Sequence, residues 1–167
     1  MAINKICESF KAAVSGIKDG STILVSGFGG AGMPTELLNA LREQGASELT
    51  IVSNNAGVGK EGIGGLLLDG RVKKVICSYP RSGGSVVFEE MWAAGKVDLE
   101  VVPQGTLSER IRAAGAGIGG FYTPTGVGTQ LAEGKEVREI NGRLQVLEAP
   151  LKGCLLYTSP SPRDVRS

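Results

Sequence analysis

The residues best suited to chemistry fall where strands are predicted to end. Ser26-Gly27-Phe28-Gly29-Gly30-Ala31-Gly32 sits between the apolar run Thr22–Val25 and the helix opening Met33-Pro34-Thr35. The spacing Gly27-x-Gly29-x-x-Gly32 matches the dinucleotide fingerprint in the strand-to-helix position that such a site needs. The physics is general. Glycines let a backbone approach a phosphate closely, and the helix that follows offers free N–H groups and a positive dipole end. Any phosphate-bearing carrier could use them, and a tight turn with no ligand is the plain alternative. A nicotinamide site also wants an Asp or Glu at the end of the second strand, for the ribose hydroxyls. Here that place holds Ser53-Asn54-Asn55, which counts against an NAD-binding oxidoreductase domain.

Asn54, Asn55 and Gln104 are uncharged amides at predicted strand ends. They can donate hydrogen bonds to a carboxylate or thioester oxygen, as in an oxyanion-type site. Asn is equally suited to capping a turn; Gln forms turns poorly, which favours a functional Gln104. The carboxylates are less promising as nucleophiles. Glu61 follows a glycine loop, and Glu89, Glu90 and Glu109 fall in predicted helices; each reads as solvated or capping. Lys60 and Arg81, in loops, could meet a phosphate but read as ordinary surface cations. The chain has no histidine, so Ser-His-Asp and Cys-His catalysis are excluded within it, and the commonest zinc ligand is missing. Cys7, Cys77 and Cys154 are widely spaced and form no disulfide or metal pattern. Cys77, inside an apolar run, reads as a small buried hydrophobe. No metal site is expected.

These residues need elements to hold them. Ile6, Phe10, Ala13, Val14 and Ile17 recur at helix spacing. Strands are predicted at Thr22–Val25, Leu49–Val52, Val72–Ile76 and Val97–Val102. Helices follow from Pro34, over Glu61–Leu68, over Ser85–Ala94 and from Thr106, where Thr106 and Glu109 have capping-box spacing. This repeat predicts an α/β fold with a mainly parallel sheet, helices on both faces and glycine-rich loops at the strand C-terminal ends. Gly115–Gly128 reads as a long ordered loop. Asn141-Gly142, between Glu136–Ile140 and Arg143–Leu147, predicts a type I′ β-hairpin near the C-terminus.

Bulk composition fits one globular domain: 167 residues, 41% hydrophobic, 21% charged, net charge +1. Neither a basic surface nor stacking aromatics point to nucleic acid; aromatics are 5%. No apolar segment reaches bilayer length, and no signal-peptide layout is seen, so a cytoplasmic protein without membrane attachment is expected. Glycine is the anomaly. Its 26 residues are roughly double the usual share of about 7%, and they cluster at the predicted strand ends.

Longer stretches carry a family resemblance. Asp19–Pro34, Gly70–Val75, Val102–Arg110 and Gly115–Thr129 resemble the first (A, or alpha) subunit of family I coenzyme A transferases, with the 3-oxoacid subgroup the nearest in pattern. Ser26 departs from it, since the family usually has glycine there. The likeness runs from the first helix to about Gly153, so residues 1–153 are expected to form the domain of that first subunit. The family's first subunit continues with further strands; Cys154–Ser167 does not resemble them and shows no full strand. It reads as a non-native or disordered tail.

The resemblance implies transfer of coenzyme A from an acyl-CoA such as succinyl-CoA to a 3-oxoacid such as acetoacetate. Coenzyme A would be a substrate, with no tightly bound cofactor. The covalent step would use a glutamate of a partner B subunit, in an A2B2 heterotetramer, and this chain would supply no nucleophile. Ser26, Gly27, Phe28, Gly29, Gly30, Ala31 and Gly32 would cradle coenzyme A, with Gln104, Asn54 and Asn55 in the acyl pocket. A shortened chain that only binds its partner is a further alternative.

Overall fold

The computed structural model describes residues 6–157. Helix α1 (Phe10–Val14) is capped by Ser9, whose Oγ accepts from the Ala12 N–H at 3.1 Å. It is shorter than the Ile6–Ile17 periodicity predicts. Only Val14 and Ile17 of that series are buried, and Phe10 stays exposed. Four strand–helix units follow: β1 (Thr22–Val25) and α2 (Thr35–Gln44), β2 (Leu49–Asn55) and α3 (Ile63–Leu68), β3 (Val72–Tyr79) and α4 (Val86–Ala93), β4 (Asp98–Val101) and α5 (Gln104–Ala116).

The strands lie in the order β4-β3-β2-β1, all parallel. Each crossover therefore steps the same way, and right-handed connections put α2, α3 and α4 on one face. The packing agrees. Ile23, Val25, Ile51, Val75 and Cys77 turn toward Leu38, Leu41, Ile63, Leu66 and Phe88. The alternate residues Leu24, Val52 and Ile76 turn the other way, onto Leu107 of α5 with Val102 and Leu151. Helices thus cover both faces, one of them by α5 alone. Cys77 is fully buried, and burial pushes its thiol up to about 11, so it stays an uncharged hydrophobe.

β2 and β3 run three residues past their apolar stretches. The ladder accounts for it: Ser53 pairs with Cys77 and Asn55 with Tyr79, so polar residues satisfy their backbone groups across strands. Asn54 and Asn55 are consequently strand residues, not loop residues. α5 starts at Gln104, earlier than predicted. Thr106 is buried inside its first turn and Glu109 pairs with Arg112 at 2.8 Å, so the capping box does not form.

The Gly115–Gly128 segment is only partly loop. α5 runs to Ala116, and β5 (Phe121–Thr123) joins an antiparallel sheet with β6 (Val137–Ile140) and β7 (Arg143–Glu148), in the order β5-β7-β6. The hairpin is as predicted: Asn141 and Gly142 have φ of 53° and 73°, the left-handed pair that a type I′ turn requires. A short strand β8 (Leu155–Tyr157) lies parallel to β1 on its free side. It falls where the sequence shows no full strand. Leu151 enters the α5-side core, and the Cys154 N–H donates to the Thr22 carbonyl at 2.7 Å, so anchoring upstream delivers the chain to that edge. Residues 158–167 lie outside the described residues.

A charged network ties the two sheets together. Arg110 of α5 bonds Glu100 of β4 at 2.8 Å and the Ala149 carbonyl at 2.8 Å, and lies 3.8 Å from Glu148 of β7. Lys74 of β3 reaches Glu100 at 2.5 Å and Lys135 reaches Glu148 at 2.6 Å. Among the described residues no helix is long and apolar enough to cross a membrane.

Candidate active site at the strand ends

The glycine turn leaves β1 and folds back on itself. Phe28 and Ala31 exchange backbone bonds at 2.9 and 3.1 Å, and the Ser26 hydroxyl donates to the Gly32 carbonyl at 3.0 Å. Gly27, Gly29 and Gly32 all have positive φ, conformations that L side chains resist. Ser26 thus closes the turn with its side chain. The tip is open to solvent: Phe28 is 78% exposed, and Gly30 and Ala31 are exposed as well.

Asn55 fastens this turn to the neighbouring strand. Its Nδ2 donates to the Gly29 carbonyl at 3.1 Å, and its Oδ1 accepts from the Gly57 N–H at 2.9 Å. Only 3% of the residue is exposed. Both polar ends are spent on backbone, so Asn55 braces the turn and does not present itself to a cleft.

Asn54 points to the other side of β2, as strand alternation demands. Its Nδ2 donates to Gln104 Oε1 at 2.7 Å and lies 3.4 Å from Ser78 Oγ. Gln104 is the first residue of α5, and its backbone carbonyl accepts from Ser108 Oγ at 3.1 Å. Ser78, in β3, has its single hydroxyl proton within reach of both Gln104 Oε1 and the Asn54 carbonyl. The predicted residues Asn54 and Gln104 are therefore in direct contact.

Two cavities share this pair. One, of about 350 Å³, is lined by Phe28, Asn54, Ser78, Tyr79 and Gln104. The other, of about 210 Å³, runs from Ser26 and Gly27 past Asn54, Gln104 and Ser108 to an apolar floor that includes Leu24, Val52 and Leu107. Neither lining contains a charged side chain among the described residues. The chemistry on offer is neutral hydrogen bonding beside an exposed glycine turn.

The predicted carboxylates lie elsewhere. Glu61 lines a separate groove with Glu36, Arg42 and Asp69. There the Arg42 guanidinium bonds Asp69 at 2.5 and 2.7 Å and holds its carboxyl below the usual range. Arg81 faces Glu89 at 3.7 Å. Sequence reasoning missed Ser78 and Tyr79, yet the signal was present. The logic that selects polar residues just past the apolar run of β2 reaches Ser78 when applied to β3.

A family model described as coenzyme A transferase matches residues 7–157. The chain belongs to the coenzyme A transferase family. Among curated relatives, it is 62% identical over 149 residues to the A subunit of the 3-oxoadipate CoA-transferase of Pseudomonas putida, covering 89% of this chain and 64% of that protein. It is 49% identical to the A subunit of a probable succinyl-CoA:3-ketoacid coenzyme A transferase of Bacillus subtilis, covering 90% of this chain and 63% of that one. The chain thus spans just under two thirds of the length of these relatives. Among solved structures it resembles an acyl-CoA transferase of E. coli O157:H7 in a thioester complex with CoA, at TM-score 0.76 and 24% identity, over 90% of this chain and 33% of that one. That likeness supports the coenzyme A transferase fold.

Proposed function

We propose that this chain is the A subunit of a 3-oxoacid coenzyme A transferase, active only with a B subunit in a cytoplasmic A2B2 assembly. One observation carries the reading: a chain of this family brings the glycine turn and the Asn54–Gln104 pair to the same strand ends, around shared cavities. In this proposal Ser26–Gly32 hold coenzyme A through backbone N–H groups and the start of α2. Gln104 donates from Nε2 to the thioester oxygen as it becomes an oxyanion. Asn54 holds Gln104, and Asn55 holds the turn.

The covalent step belongs to a glutamate of the B subunit. Its carboxylate attacks the acyl-CoA carbonyl, and the coenzyme A thiolate leaves, giving an acyl–glutamyl anhydride. The thiolate then attacks the glutamyl carbonyl and releases the free acid, leaving a glutamyl–CoA thioester. The same steps in reverse load the incoming 3-oxoacid. The uncharged lining on this chain suits a thioester carbonyl, and coenzyme A is a substrate carried through the cycle.

Relatives named for 3-oxoadipate are 62% and 55% identical, and one named for 3-ketoacids is 49% identical. 3-Oxoadipate and acetoacetate are therefore the acceptors to compare. The test is co-expression with the B subunit, followed by incubation with succinyl-CoA alone. Intact-mass measurement should show a coenzyme A adduct on B and none on this chain. An adduct on this chain, or none on either, would contradict the assignment.

A further inference from the structure

We infer that Ser78 is a positioning residue that selects which end of the Gln104 amide faces the cavity. The inference rests on the proposed role of Gln104 as donor to the thioester oxygen. A glutamine amide has an acceptor end and a donor end, related by a half turn about its last torsion. Nothing in Gln104 itself chooses between them. Its neighbours do. Asn54 Nδ2 donates to Oε1 at 2.7 Å, and the Ser78 hydroxyl donates to the same oxygen. Turning the amide over would set its NH₂ group against the NH₂ of Asn54, and the Ser78 proton would be left with the Asn54 carbonyl alone. Two donors converging on Oε1 therefore leave Nε2 as the end with no partner among the described residues.

Ser78 is placed for this by the fold. It lies in β3, beside β2, with its Oγ 3.1 Å from the Asn54 backbone carbonyl, which shares the one hydroxyl proton with Gln104 Oε1. Asn54 Nδ2 in turn approaches Ser78 Oγ at 3.4 Å. The result is a closed set of bonds joining β2, β3 and the first residue of α5. Ser78 lines the cavity of about 350 Å³ together with Asn54 and Gln104, so the set stands at the cavity wall.

Ser78 acts through Gln104, and a double-mutant comparison isolates that. The complex with the B subunit is assayed for transfer from succinyl-CoA to a 3-oxoacid, in the forms wild type, S78A, S78T, Q104A and S78A/Q104A. Losing a donor to the oxyanion costs about 100-fold or more in kcat; S78A leaves Asn54 still donating to Oε1, so it should cost less, roughly tenfold, as for one hydrogen bond lost. S78A should lower kcat and kcat/KM together with little change in KM, the mark of an interaction made in the transition state. S78T keeps the hydroxyl on a strand that favours β-branched residues, and should restore most of kcat. S78A should add nothing to Q104A. A kcat for S78A equal to wild type, or an equal loss on the Q104A background, overturns the inference. A wild-type complex that transfers no coenzyme A would instead overturn the function itself, so the two failures are distinct.

Discussion

Gly27 of the turn cannot readily accept a side chain. Its φ is +121°, and an added Cβ would lie 3.1 Å from the Ala31 carbonyl oxygen and 3.2 Å from the Met33 nitrogen. Both are backbone atoms and cannot swing away. Gly29 differs: its φ is +62°, but an added Cβ meets nothing within 4 Å. Gly27→Ala should therefore cost fold stability, about 1–3 kcal/mol of strain, seen in denaturant titration. Gly29→Val should strain the turn, since a β-branched residue resists φ +62°, and in the proposed function it should also weaken coenzyme A binding by crowding the turn. Calorimetry on the folded complex should give weaker coenzyme A binding; unchanged affinity would remove the turn from the site. Asn55→Ala bears on the same question from below. It strips the bond to Gly29 and leaves the buried Gly57 N–H without its acceptor, a loss of about 1–3 kcal/mol. Both thermal stability and coenzyme A affinity should fall. The amide types and their strand-end places were legible in the sequence. Which way each amide points was not, because alternation along β2 sends Asn54 and Asn55 to opposite sides only once the strand is known to reach Asn55.

At the level of elements, α5 joins the two sheets through Arg110. Its side chain is 11% exposed, and it meets Glu100, Glu148 and the Ala149 carbonyl. Arg110→Ala would strand the nearly buried Glu148 with only Lys135, and should destabilise the chain by about 3–5 kcal/mol. The midpoint of chemical denaturation measures it. Glu100 contributes a pH dependence. Burial pushes its carboxyl up, but hydrogen bonds from Arg110 and Lys74 outweigh that and hold it below the usual carboxylate range. The folded state then binds fewer protons than the unfolded one, so stability rises with pH in that window. Glu100's contribution is fully present above the ordinary Glu value and is lost as pH falls through its lowered folded value. Glu100→Gln should flatten the acid limb of the stability–pH curve; an unchanged slope would exclude Glu100 as its source. None of this network was visible beforehand, since its members are 26, 10 and 38 residues apart between Lys74, Glu100, Arg110 and Glu148. Strand cores and the Asn141-Gly142 hairpin were visible, because period, β-branching and a required left-handed pair are local signals. β8 was not. Leu155–Tyr157 becomes a strand by lying against β1, a partner more than a hundred residues away in sequence.

For the whole molecule, the decisive feature is that one set of strand ends gathers the glycine turn, the amide cluster and two cavities whose linings hold no carboxylate among the described residues. Such a surface can hold a carrier and polarise a thioester, and in the proposed function the covalent carboxylate belongs to another chain. The Asn-rich end of β2 argues against a nicotinamide site, and the family match makes the carrier coenzyme A. The most direct measurement is transfer of coenzyme A from succinyl-CoA to acetoacetate or 3-oxoadipate, made with this chain by itself, with its B partner by itself and with the two co-expressed. Transfer is expected from the complex only, and should fall by about 100-fold or more when Gln104 is replaced by Ala. Transfer by this chain on its own, or a complex that binds NAD and moves no coenzyme A, would contradict the proposed function.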